Sequence, residues 1–232
     1  MPEGEPRIFR YVVRLDQGGS PNPFGSWCSL AVCKPVIRRT ARVGDWIIGL
    51  RSRASDHVVY AMHVDAVLSL GDYWKDPRFR AKRPGRCDTP DNFYRPRRDG
   101  TLAYVCNDLH GPQALVADAS GRNALVSWRY WYFGAASPQL PTDLVHLVHS
   151  GQGHALQVNR HPADLLLLQR WLSFLPKGAH GRPIDARRSA MRGRIAFSAP
   201  APSPGAPAPP RSSCRKSART PAPLAPCLWR RS

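Results

Sequence analysis

Acidic side chains are scarce in this chain: 16 Asp and Glu stand against 34 Lys and Arg in 232 residues, a formal net charge of +18. Such a balance favours polyanionic partners, because every phosphate contacted releases counterions. Long apolar runs are missing as well. The longest, around Leu165 to Leu175, is interrupted by Gln169 and Arg170 and is too short for a bilayer span of about 20 residues. The opening Met-Pro-Glu-Gly-Glu-Pro has no apolar stretch of the kind a secretory leader carries, so a cytoplasmic protein with reduced thiols is expected. There is no Gly-x-Ser-x-Gly elbow, no His-Glu-x-x-His and no glycine-rich phosphate loop after a strand, which excludes those forms of hydrolase, zinc peptidase and nucleotide triphosphatase. No internal repeat is evident.

What is present is unevenly spread. Nearly all apolar residues precede Lys177, and Pro, Ala, Ser and Arg dominate afterwards. The pattern predicts one folded domain over residues 1–185 and a disordered Pro/Ala/Arg-rich tail over 186–232. Residues 1–180 carry 23 Lys and Arg against 15 Asp and Glu, whereas residues 181–232 carry 11 against Asp185 alone. The folded part is thus basic without help from the tail.

Alternation predicts a strand over Ile8 to Leu15, with Phe9, Tyr11, Val13 and Leu15 on one face and Arg10 and Arg14 on the other. A loop stiffened by Pro21 and Pro23 follows. A short apolar segment then runs between Cys28 and Cys33, and a basic patch of Arg38, Arg39 and Arg42 leads through Gly44-Asp45 into a strand from Trp46. His57 to Leu70 alternates most clearly, as one long strand or two with a bend; Val58, Tyr60, Met62 and Val64 share its buried face. Arg80 to Gly100 reads as a long basic loop. Leu102 to Cys106 is a further strand, and Ala124 to Phe133 a single central one, bulky on both faces. A final helix starts at His161-Pro162 and buries Leu165, Leu168, Leu172 and Leu175. The fold class expected is α+β.

Four groups of residues bear on chemistry. Cys28, Cys33, Cys106 and His110 are the soft ligands available to a metal, but Cys28 and Cys33, five apart on an expected strand, point to opposite faces. Buried structural cysteines are the simpler reading, and neither metal nor cofactor is expected. A thiol–imidazole pair from Cys28 or Cys106 with His110 or His154 would suit nucleophilic catalysis. Aromatics interleaved with arginines suit an extruded base, with rings stacking and guanidinium groups holding phosphates. Finally, His154 closes a Gly-Gln-Gly-His stretch whose glycines let the backbone approach a ligand.

The run Asn22-Pro23-Phe24-Gly25, Cys28, Cys33-Lys34-Pro35, Gly44-Asp45-Trp46, Tyr73-Trp74, Asp76-Pro77-Arg78-Phe79, Tyr132-Phe133-Gly134 and Gly151-Gln152-Gly153-His154 resembles the second of the nucleotide-modification-associated domains, over roughly residues 7–185. More distantly, Val43-Gly44-Asp45-Trp46 entering a strand is similar to the PUA-like group that includes EVE and YTH domains. The resemblance implies a PUA-like mixed β-barrel with flanking helices that recognises a modified nucleotide, in DNA, alongside other proteins of a modification system. Trp46, Trp74 and Trp131 are then the stacking candidates, Asn22, Ser127 and His154 the polar readers, and Arg38, Arg39 and Arg78 the phosphate holders. The ligand is expected between the Asn-Pro-Phe-Gly loop and Trp46. The competing expectation is an enzyme that modifies or removes a base or nucleotide, using His154, Cys28 or Asp45; a structural subunit of a modification complex is a third.

Overall fold

A computed structural model describes residues 5–107, 109–149, 154–157 and 163–186, all within the compact unit Met1–Ala201. The expected tail, Gly151-Gln152-Gly153 and the His161-Pro162 helix start lie outside the described residues.

Eleven strands form among the described residues. β1 (Ile8–Val13), β3 (Trp46–Arg51), β4 (Ala54–His63), β9 (Tyr130–Tyr132), β10 (His154–Gln157) and β11 (Gly178–Ala179) build a six-stranded mixed sheet in the order β10-β1-β3-β4-β9-β11. β2 (Cys28–Leu30), β8 (Asn123–Ser127) and β5 (Ala66–Ser69) form a second sheet in the order β2-β8-β5, and β6 (Tyr94–Pro96) pairs with β7 (Leu102–Tyr104). Short helices α1 (Pro35–Thr40), α2 (Leu70–Lys75) and α3 (Leu115–Ser120) surround the second sheet's end of the fold, and α4 (Asp164–Ser173) supplies Leu168 and Leu172 to the core. The α+β class is as expected; the closed barrel is not. Among the described residues no pairing joins β10 to β11, and the large sheet stays open.

Strand alternation divides the core between the two faces of this sheet. Phe9, Tyr11, Ile47, Tyr60, Met62, Tyr130 and Tyr132 pack on one side with Cys28, Leu30 and Ile37, while Ile8, Trp46, Ile48, Ala61 and Trp131 pack on the other with Leu144, Leu147, Leu168 and Leu172. Period-two reading of β4 holds from Tyr60 onward and fails before it. Gly49 faces Tyr60 and Leu50 faces Val58, so Val59 is an extra residue in the ladder. That bulge reverses the parity and puts Val58 on the Trp46 side.

The strand expected over Ala124 to Phe133 is two strands in different sheets. β4 and β5 make the same crossing, at Val64-Asp65, opposite Trp128-Arg129. Asp65 ties the two crossings together. One oxygen accepts the backbone N–H groups of Trp128 (2.9 Å) and Arg129 (3.0 Å) and the Ser127 hydroxyl (3.2 Å); the other meets Arg129 Nε at 2.7 Å and His63 Nδ1 at 2.9 Å.

Candidate functional site

The end of β1, the loop that follows it and the turn before α1 enclose a cavity of about 280 Å3. Its walls include the Tyr11 and Phe93 rings, and its polar lining includes Ser20, Cys33, Lys34 and His110. Arg14 lines it too and also lines a second, more open groove of about 500 Å3, where Arg51 and Arg53 join it. The two share Val13 and Arg14.

Positive charge gathers around the smaller cavity without neutralisation. Lys34 Nζ sits 4.3 Å above the Tyr11 ring, a cation–π position, and burial together with nearby Arg14 lowers its pKa although the Cys33 thiol opposes the shift. Neither Lys34 nor Arg14 has a carboxylate in ion-pair range among the described residues. His154 lies opposite Tyr11 in the β1–β10 ladder; burial, then Lys34, keeps its imidazole below the usual basicity. The same applies to His149, through burial and the charges of Arg10, His154 and Lys34. A region that disfavours further protonation favours an anion.

The backbone at Cys33 and Lys34 is held in the left-handed region, with φ of 57° and 43°. Two consecutive non-glycine residues there cost free energy that the surroundings must offset. The Cys33 N–H donates to Asp118 Oδ1 at 2.7 Å and the Cys33 carbonyl accepts Arg38 Nε at 2.6 Å. Arg38 is fully buried and also donates to the carbonyls of Asn123 (2.8 Å) and Asp118 (2.6 Å). So fixed, Cys33 Sγ lies 3.4 Å from His110 Nε2, and the other ring nitrogen lies 3.4 Å from Asp118 Oδ2. Burial and the Asp118 charge push the Cys33 thiol up, so it rests protonated.

Most residues singled out from sequence lie elsewhere. Trp46 and Trp131 are buried on the far side of the sheet, stacked at 6.0 Å and 22°, and Trp131 Nε1 donates to the Leu175 carbonyl. Both indoles, expected as stacking surfaces for a ligand, are thus part of the core on the face of the sheet opposite the cavity. Asn22 is buried; its amide donates to the Thr89 carbonyl at 2.7 Å and accepts from Lys82 Nζ at 2.9 Å. Lys82 belongs to a buried group with Asp91, which accepts from Ser29 and Tyr73. Ser127 is occupied at the Asp65 crossing. Arg38, expected to hold a phosphate, is fully buried with its guanidinium directed at three carbonyls and has no solvent-facing N–H to offer. Trp74 is half-buried beneath Arg83, at 4.3 Å. Arg39 is exposed and reaches the Ser120 carbonyl, and Arg78 is exposed, paired with Asp76 and set over Trp27 at 5.0 Å. Of the alternative catalytic residues, Cys28 is buried with its thiol pushed up to about 12, and Asp45 is paired with Arg7 at 2.6 Å. His154 faces Tyr11 across the β1–β10 ladder but is not among the described residues that line the cavity, whereas Cys33 and His110 are.

The residues that do line it had weaker marks in the sequence. Arg14 shows on the polar face of the strand expected over Ile8 to Leu15, and Cys33-Lys34 in an abrupt stop after an apolar segment. Nothing local joined Cys33 to His110, 77 positions away. Among the described residues no three His, Cys, Asp or Glu side chains converge as a metal site.

Fold and cavity together define an α+β protein with a cation-rimmed, thiol-bearing cavity on one face of an open mixed sheet. The particular family follows from the sequence match: the model of nucleotide modification associated domain 2 covers residues 5–190, and the chain belongs to that family. Comparison with curated proteins and with solved structures finds no match. Among the described residues no helix is long and apolar enough to cross a membrane.

Proposed function

We propose that this protein recognises a nucleotide unit of DNA within a nucleotide-modification system, the base entering the smaller cavity and the adjacent phosphates following the arginine groove. The observation that carries this reading is the junction at Arg14: a cavity with aromatic walls opens beside a groove lined by Arg14, Arg51 and Arg53. At about 280 Å3 the cavity is close to the roughly 300 Å3 at which small-ligand pockets begin, a size suited to a base rather than a large cofactor. Tyr11 and Phe93 would flank the base; Lys34, Ser20 and His154 would meet its polar edge or its 5′ phosphate. Arg80, Arg86, Arg95, Arg97 and Arg98 are exposed on the segment that delivers Pro90 and Phe93 to the cavity, and they extend the basic surface available to a strand. The base would have to leave its stack, which single-stranded or mismatched DNA permits most readily.

Fluorescence anisotropy with single-stranded oligonucleotides, carrying one cytosine or a 5-substituted cytosine, tests this reading. Arg14→Gln and the Arg51→Gln/Arg53→Gln pair should weaken binding of every oligonucleotide and reduce the log–log salt slope by about 0.7 per arginine removed. Lys34→Gln should instead erode the preference between the two bases. Absence of saturable binding at low salt, or affinities untouched by the groove substitutions, would sink the proposal.

A further inference from the structure

We infer that Cys33, His110 and Asp118 form a nucleophilic site that adds reversibly to C6 of a pyrimidine base; this rests on the nucleotide reading of the cavity. The three residues come from separate segments: Cys33 and His110 line the cavity, and Asp118 is buried within reach of both. Cys33 Sγ and His110 Nε2 are 3.4 Å apart, and Asp118 serves both members: Oδ1 accepts the Cys33 N–H at 2.7 Å, and Oδ2 lies 3.4 Å from His110 Nδ1. Tyr94 also donates to Asp118 Oδ2, at 2.7 Å, which fixes the carboxylate. A nucleophile beside a base, with the base oriented by a third group, is the arrangement that activates a weak nucleophile. His110 Nδ1 is buried and makes no hydrogen bond among the described residues, so a small rotation towards Asp118 would satisfy it once the ring is charged.

The backbone argues in the same direction. Left-handed conformations at Cys33 and Lys34, held by the Asp118 carboxylate and the Arg38 guanidinium, place Cys33 in the cavity wall, where it also packs against the core beside the second sheet. Strain of this kind gathers at functional sites. The contrast with Cys28 is instructive: that thiol is fully buried and, among the described residues, has no basic side chain at hydrogen-bond distance.

Chemistry narrows the substrate. The structure offers a proton acceptor and a soft nucleophile, and an addition needs nothing more. Among the common bases, the pyrimidine 5,6 double bond accepts a thiolate without a leaving group. His110 Nε2 takes the Cys33 proton, and the sulfur lone pair forms the S–C6 bond. The π pair of C5=C6 moves towards C5, which receives a proton from the imidazolium or from water. Elimination reverses each step and returns the base, with the hydrogen at C5 exchanged. No oxidant, reductant or second substrate is required. Around Sγ the titratable and charged groups are His110, Asp118, Lys34, Arg38, Tyr94 and Tyr11.

Hydrogen exchange at C5 reads this directly. The full-length protein is incubated in heavy water with single-stranded oligonucleotides holding one cytosine or one deoxyuridine, and the recovered oligonucleotide is weighed by mass spectrometry while anisotropy reports binding. The expected result is a one-dalton gain at the pyrimidine, lost with Cys33→Ser and at least tenfold slower with His110→Gln, each variant being assayed at an oligonucleotide concentration that saturates it. Alkylation of Cys33, followed by peptide mapping, should slow with His110→Gln at pH 7.5, and the gap from the parent should narrow as pH rises and hydroxide takes over from the base. Binding without exchange, or exchange that survives Cys33→Ser, overturns this inference and leaves the recognition reading intact. Failure of the parent protein to bind either oligonucleotide overturns both.

Discussion

Arg38 shows how far a side chain's surroundings decide its role. In sequence it is one of three arginines in a basic patch; in the fold it is fully buried and its guanidinium reaches three carbonyls, with Asp118 Oδ1 at 3.5 Å. Its approach depends on Gly121, where an added Cβ would stand 2.6 Å from the Arg38 Cζ. Arg38→Met removes the donors, leaving three carbonyls without these hydrogen bonds and the buried Asp118 carboxylate without its arginine partner, so a loss of about 3–5 kcal/mol is expected in urea unfolding. Gly121→Ala should cost about 1–3 kcal/mol, because the guanidinium is pinned and cannot simply swing aside. In the double variant the two costs should fall short of additive, since both act through one group. Full additivity would show that Gly121 matters for another reason.

At the scale of elements, the crossing at Asp65 decides how the two sheets are joined. Burial alone would raise the Asp65 pKa, but hydrogen bonds from His63 and Arg129, with the Arg129 charge, more than offset it and hold it at about 2. The sign follows from linkage: the native pKa lies below the ordinary value of 3.8, so the unfolded chain binds the proton more readily. The stabilisation is complete above about pH 4 and disappears as pH falls through about 2. Wild-type protein should therefore lose up to about 2 kcal/mol from this group between pH 5 and pH 2, measured by denaturant midpoints. Asp65→Asn should be weaker at pH 7, by roughly 2–3 kcal/mol, and should show a shallower acid decline. Equal acid slopes in the two proteins would refute the assignment.

The same crossing explains which elements could be read from sequence. Strands β1 and β3 and the buried leucines of α4 follow from alternation and from i, i+3, i+4 spacing, because each packs one continuous face. A bulge at Val59 and the turn at Trp128-Arg129 carry no such mark. Aromatic residues on either side of that turn read as one unbroken strand, and only the hydrogen bonds to Asp65 show why it breaks. The cavity was half legible: the Ser20–Lys34 stretch does border it, yet the most conspicuous residues nearby, Asn22 and Trp46, are structural. Their prominence comes from polar satisfaction and burial, the same demands that a ligand site would place on those residue types.

For the molecule as a whole, the question is where the folded part ends. Residues 178–185 return to the core: β11 pairs with β9, the His180 N–H donates to the Tyr132 carbonyl, and Ala135 donates to the Arg182 carbonyl. Asp16, buried and also accepting the Tyr132 hydroxyl at 2.8 Å, receives the Ile184 N–H at 3.1 Å, while Asp185 Oδ2 accepts the Asp16 N–H at 2.8 Å. Asp16 precedes Gln17, which lines the smaller cavity, and Asp185 lines the arginine groove. Truncation after residue 186 should therefore keep the fold and any base preference, and truncation after Lys177 should unfold the protein or lower its thermal midpoint by many degrees. Residues 187–232 hold ten of the chain's 34 Lys and Arg and no Asp or Glu. Their removal should weaken binding to any DNA and flatten its salt dependence, because that part of the affinity is counterion release. Circular dichroism melting curves for the two truncations, with anisotropy across a salt series for the longer one, test both halves. Loss of base preference on removing residues 187–232 would place a reader of the base in the tail and contradict the cavity.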